Sequence, residues 1–246
     1  MQKLFDLIYE DADLLVLNKP AGLVCHPTKG DEYSSLVSRL RLHLGFAGHL
    51  VNRLDRETSG VTVAAKNSVA AGELGKLWEQ RAVEKEYLAI VHGHVATDHG
   101  VIDAPLGKDE SSIVAVKDCV RPDGAAAQTE FWVEQRFFRP STINAQPSTF
   151  SLLRIQPRTG RKHQIRIHLA HLGHAIVGDK IYGGDEDLYL ALVQQRLTQE
   201  QRARLIFENH ALHARSVRFV WRDGSREFTC EPEPWFTGFI AEAQKL

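Results

Sequence analysis

The chain has 246 residues, 43% hydrophobic and 25% charged, which is the balance of an ordinary globular protein; no apolar run approaches the ~18–20 residues a membrane-crossing helix needs. The opening Met1-Gln2-Lys3-Leu4-Phe5-Asp6 has no long apolar stretch, so neither a secretory leader nor a membrane partner is expected. A formal net charge of −1 excludes a uniformly basic nucleic-acid binder, so any such role must rest on local clusters; Cys25, Cys119 and Cys230, an odd set without a CxxC pair, read as reduced thiols of a cytoplasmic protein.

In chain order, Leu4–Tyr9 and Leu14–Asn18 alternate as two strands do, and Lys19-Pro20-Ala21-Gly22 forces a turn after them. Leu36, Val37, Leu40 and Leu44 recur at helical spacing behind Ser34-Ser35. Gly60–Ala65 reads as a buried strand, Ser68–Gln80 as a helix, and Tyr87–Val91 as a strand ended by His92-Gly93. Gln128–Phe137 and Phe150–Ile155 are further strands, with a Pro/Ser/Thr-rich surface loop from Arg139 to Ser148. Lys162–Leu172 has a helical pattern that stops at Gly173, and Thr198 with Gln201 forms a capping box for a helix to about Phe207. Leu212–Val220 and Glu227–Cys230 close the series as strands. Helices and strands mix without regular alternation, so the expected class is α+β, with a mixed, largely antiparallel central sheet flanked by helices in one compact domain, residues 1–246.

Two polar segments carry chemistry. In Asn52-Arg53-Leu54-Asp55-Arg56-Glu57-Thr58-Ser59-Gly60, Asp55 lies between arginines, and in an extended backbone Arg53 and Asp55 project to one side. A neighbouring guanidinium holds a carboxylate ionised, and an ionised carboxylate in a cleft serves as nucleophile or base. Alone, the segment reads more readily as a surface ion-pair cluster ending in a turn than as a catalytic site. The second segment, Gly160-Arg161-Lys162-His163-Gln164-Ile165-Arg166-Ile167-His168, follows Arg154 and Arg158 and makes the strongest basic cluster, suited to phosphate if it opens a helix. Tyr87, in Lys85-Glu86-Tyr87-Leu88-Ala89, is either a half-buried strand residue or a stacking platform for an unpaired base.

These segments, with Asn18-Lys19-Pro20-Ala21-Gly22, His26-Pro27, Val177-Gly178-Asp179, Tyr182-Gly183 and Leu212-His213-Ala214, resemble in order and spacing the RluA-type branch of the pseudouridine synthases, from about residue 8 to residue 220. The resemblance implies a single catalytic domain with a central RNA-binding cleft, which isomerises uridine to pseudouridine in ribosomal or transfer RNA without metal or organic cofactor. It implies Asp55 as the essential nucleophile, Tyr87 as the ring stacked on the target base and party to proton transfer, and Arg166 as the partner orienting the Asp55 carboxylate. Arg53 would fill the gap left by the flipped uridine, Arg56, Arg161 and Lys162 would contact RNA, and Leu212 would wall the pocket. Base flipping costs a few kcal/mol, which a stacking ring and an inserted guanidinium offset. Whether the carboxylate attacks C1′ or assists a glycal route is open at this level.

The family usually has His before the Arg-Leu-Asp-Arg stretch; Asn52 stands here, which leaves subfamily and RNA target open. The motifs begin almost at the first residue, so no separate RNA-binding domain is expected ahead of them, and a monomer is the default. One rival is a metal hydrolase built on His163, His168, His171 and His174, but no HExxH pattern or carboxylate set accompanies them. The other is a non-catalytic RNA-binding module of the same fold.

Overall fold

The structure is a computed structural model that describes residues 4–27, 34–139 and 148–245. Most of the expected loop between Arg139 and Ser148 therefore lies outside the described residues. In chain order the elements are β1 (Asp6–Glu10), β2 (Leu14–Lys19), α1 (Leu36–Leu44), β3 (His49–Leu50), β4 (Ser59–Ala65), α2 (Ser68–Glu79), β5 (Val83–His92), β6 (His99–Asp103), β7 (Leu106–Lys108), β8 (Asp118–Val120), β9 (Gln128–Arg139), β10 (Ser148–Pro157), α3 (Gln164–His171), α4 (Asp187–Val193), α5 (Gln199–Leu205), β11 (Leu212–Trp221), β12 (Gly224–Thr229), α6 (Pro234–Ala241) and β13 (Gln244–Lys245). Backbone contacts group them into two compact units: Met1–Tyr87 with His213–Glu233, and Leu88–Leu212 with Pro234–Leu246. The mixture is α+β and mostly antiparallel, as the sequence predicts.

In the first unit β2 lies between β1 and β4, antiparallel to both. Leu14, Leu15, Val16 and Leu17 are all fully buried. Because side chains alternate faces, Leu14 and Val16 join Val61, Val63, Phe219 and α2 residues Ala70 and Leu74 in one cluster. Leu15 and Leu17 join Ala64 and α1 residues Leu36 and Leu40 in another. Each helix starts where a short polar side chain accepts a first-turn N–H: Ser35 from Ser38 at 3.2 Å and Asn67 from Ala70 at 2.9 Å. β11 runs parallel to β4 with Ser59 opposite His213 and Gly60 opposite Ala214. A Cβ at Gly60 would lie 2.2 Å from the Ala214 carbonyl oxygen, so only glycine permits this approach.

In the second unit β9 pairs with β10, β6 and β13, all antiparallel. Phe137 and Phe150, cross-strand partners, stack at 5.7 Å, and α6 covers them with Phe239, 5.1 Å edge-on to Phe150. α3 docks through polar groups: Gln164 donates to the Gln128 carbonyl at 2.9 Å and to Thr129 Oγ1 at 3.0 Å. It begins two residues later than the periodicity predicts, because His163 takes a left-handed backbone (φ 54°). Gly173 (φ 88°) ends it, as expected, and the Thr198–Gln201 capping box opens α5.

Candidate active site

Asp55 sits on the loop between β3 and β4, half-buried, with Leu54 buried before it and Arg53 and Arg56 exposed on either side. The loop is a turn closed by the Thr58 N–H on the Asp55 carbonyl at 3.2 Å. Its main chain is anchored at several points. The Cys25 thiol donates to the Leu54 carbonyl at 3.3 Å, and its sulfur accepts the Leu54 N–H at 3.4 Å. The ammonium of Lys19, fully buried, donates to the carbonyls of Pro20 (2.9 Å), Leu23 (2.8 Å) and Arg56 (3.1 Å). Arg56 Nε returns a bond to the Gly22 carbonyl at 3.2 Å. Burial lowers the Lys19 pKa to about 8, even with Cys25, Glu233 and Asp55 acting to raise it.

The far end of the loop is fixed by a relay. His213 Nε2 lies 3.0 Å from the Cys230 carbonyl, which can only accept, so Nε2 carries the proton. Nδ1 then accepts from Ser59 Oγ at 2.8 Å. Burial lowers the His213 pKa, in keeping with a neutral ring. Asn52 serves the same loop: its Oδ1 accepts the Val63 N–H at 2.7 Å and its Nδ2 donates to the Val61 carbonyl at 3.4 Å, so the amide extends the edge of β4. The residue standing where the family usually has His is thus spent on backbone.

Tyr87, on β5 in the same unit, is half-buried. Burial, and then the negative charge of Asp55, push its phenol well above the usual tyrosine range. Asp55 and Tyr87 are therefore electrostatically coupled, the carboxylate charge helping the phenol to keep its proton.

The remaining expected residues belong to the second unit. Arg166, on α3, is buried rather than solvated, and its guanidinium grips Asp179 with two bonds, Nε to Oδ2 at 2.7 Å and Nη2 to Oδ1 at 2.9 Å. Leu212, buried, begins β11. Lys162 pairs with Asp118 at 2.8 Å and remains half-exposed, while Arg161, exposed, donates from Nε to the Ala126 carbonyl at 3.2 Å. Arg158 pairs with Glu130, and Arg154 pairs with Glu134 at 3.7 Å and lies 4.0 Å over the Trp132 ring. The basic cluster of the sequence is largely a set of ion pairs in the fold, and phosphate would have to exchange with their carboxylates.

The histidines of the metal reading take separate roles. His168 is fully buried and uses both nitrogens, toward Thr129 Oγ1 (2.8 Å) and the Ala104 carbonyl (2.9 Å). His163 Nδ1 meets the Tyr182 hydroxyl at 2.9 Å, and His174 Nδ1 donates to the His92 carbonyl at 2.9 Å. Lys19, Cys25 and Asp179 are the contributors that sequence reasoning did not assign; the first and last lay in quoted motifs, and their burial is what marks them.

Residues 13–171 match the RNA pseudouridylate synthase family. The tRNA pseudouridine synthase C of Haemophilus ducreyi is 38% identical, over 87% of this chain and 85% of its own. The ribosomal large subunit pseudouridine synthase D of Pseudomonas aeruginosa is 37% identical, over 85% of this chain and 62% of its own. Among solved structures, human RNA pseudouridylate synthase domain containing 4 superposes with a TM-score of 0.71 at 27% identity, covering 96% of this chain and 92% of its own. The matched region spans 56% to 59% of the length of several other curated relatives.

Proposed function

The chain belongs to the RNA pseudouridylate synthase family, in its RluA-type branch, and on that premise we propose that it isomerises specific uridines of ribosomal or transfer RNA to pseudouridine. In this reaction the N1–C1′ bond breaks, the uracil turns, and C5 bonds to C1′; C5 loses a proton and N1 gains one. Nothing else is consumed, and no cofactor is proposed.

The observation that carries the reading is the state of Asp55. Its loop is pinned through the backbone carbonyls of Leu54 and Arg56 and the side-chain hydroxyl of Ser59, and its charge acts on the phenol of Tyr87. A pre-set carboxylate suits attack on the sugar, or its equivalent in a glycal route, because little reorganisation is left to the reaction. Tyr87 stacks on the flipped uracil and, remaining protonated at neutral pH, holds a proton for transfer. Arg166 orients the Asp55 carboxylate, Arg53 occupies the gap in the RNA, and Leu212 walls the base. Arg56, Arg161 and Lys162 bind phosphate. The enzyme acts in the cytoplasm, as a monomer, with residues 1–246 serving as one catalytic domain.

The test is a map of pseudouridines in total RNA from cells with and without the gene, complemented by wild type or Asp55→Ala. One or more sites should vanish with the gene, return with wild type and stay absent with the variant. An unchanged map on deletion, or restoration by Asp55→Ala, would overturn the proposal.

A further inference from the structure

Asp179 is the most enclosed carboxylate described in this chain, with a side chain 0% exposed. It accepts four hydrogen bonds. Two come from Arg166, and Oδ1 also takes the backbone N–H groups of Ile181 (2.9 Å) and Tyr182 (3.0 Å). Burial alone would raise its pKa, but the Arg166 charge and hydrogen bonds outweigh burial and hold it well below the usual carboxylate range. The turn Asp179–Tyr182 therefore presents a permanent anion of fixed direction to α3.

The same turn controls the face of the guanidinium. Arg166 lies over the Tyr182 ring, 5.0 Å from its centroid. The Tyr182 hydroxyl is itself held, by His163 Nδ1 at 2.9 Å and by the Asp118 N–H at 3.3 Å. An arginine side chain is long and carries much rotamer entropy. A bidentate carboxylate along one edge and a ring against one face remove that freedom before any substrate arrives.

A buried ion pair of this kind adds little net stability over an apolar pair of equal volume, since desolvation offsets attraction. Packing therefore does not account for it, whereas geometry does. We propose that Asp179 is a positioning residue: it locks the Nε–Nη2 edge of Arg166 so that the guanidinium is pre-aimed for the reaction. The proposal rests on the role given to Arg166 above and adds the group through which that role is set.

The experiment is a double-mutant cycle on single-turnover rates, using the full chain with RNA bearing a mapped uridine, and with RNA affinity and melting temperature measured beside it. Asp179→Asn should slow turnover ~100-fold, the scale of a misplaced reacting group, with RNA affinity changed less than ~3-fold. Arg166→Met should be slow too, and Asp179→Asn added to Arg166→Met should cost nothing more. A carboxylate that merely supported the fold would give losses that multiply. The same cycle with Asp179→Glu, which keeps the charge, reads the coupling if the Asn variant does not fold; its rate should lie between wild type and Asp179→Asn. Asp179→Asn at wild-type rate while Arg166→Met is slow would overturn the positioning role alone, as would multiplicative losses. Arg166→Met at wild-type rate would overturn the role given to Arg166 and the proposal with it.

Discussion

Asp55 and Arg166 are held in place by opposite means. The loop that carries the carboxylate is held by a thiol on the Leu54 carbonyl, an ammonium on the Arg56 carbonyl, and a histidine relay on the Ser59 hydroxyl. The guanidinium is positioned through its side chain, gripped by the buried Asp179 carboxylate and set against the Tyr182 ring. Several weak anchors share a load, so losing one shifts the loop a little. A buried, bidentate counter-charge is different: losing it leaves a buried ion without that partner.

The steepest expected loss, apart from Asp55 itself, is therefore at Arg166. Arg166→Met leaves Asp179 buried without its ion-pair partner and should cost about 3–5 kcal/mol of stability along with most of the turnover. Arg166→Lys should recover little, because an ammonium cannot reproduce the fork. A chemical denaturation curve within ~1 kcal/mol of wild type would contradict the ion-pair account.

Lys19→Met comes next. Releasing the Arg56 carbonyl should slow turnover roughly tenfold, short of the ~100-fold cost of a misplaced reacting group. The same variant tests a pH effect of known sign. The folded state holds Lys19 at about 8 and the unfolded chain at its ordinary 10.5, so between those values the unfolded chain binds the extra proton. Stability from this group therefore rises with pH across that window. Wild type should gain stability over Lys19→Met between pH 8 and 10.5, and parallel pH curves would refute it.

Asn52→Ala should cost about 1 kcal/mol, the worth of the hydrogen bonding it loses on β4, with turnover changed less than ~3-fold. A large loss of rate at unchanged stability would give the amide a chemical role instead of a structural one. Smallest is the salt response. Lys162→Ala and Arg161→Ala should each lower the slope of log affinity against log salt by about 1. A full effect at Arg161 with none at Lys162 would mean that Lys162 stays with Asp118 when RNA binds.

How far the sequence could be read follows the same division. The buried strands β2 and β4 and the capped helices α1, α2 and α5 carry their patterns locally, in alternation or in a cap residue. β6, β7 and β8 are short and broken by Gly100, Pro105 and Gly107, and α6 is apolar without a clean period, so none of them carries a local pattern. Asp55, Tyr87 and Arg166 were legible as residue types in family-like motifs. Their supports were not. Lys19 works on backbone carbonyls, which leave no mark in a sequence, and Cys25 reaches Leu54 across 29 positions. Asp179 is 13 residues from Arg166, a spacing that belongs to no helix or strand period.

The role proposed for Asp55, chemistry by its carboxylate on a fixed loop, is open to a direct test. Asp55→Asn keeps the shape and removes the charge. In single turnover with saturating enzyme, on RNA containing a mapped target uridine, it should lose at least ~10³-fold in rate while binding that RNA as wild type does. Pseudouridine formed by Asp55→Asn at the wild-type rate would contradict the account.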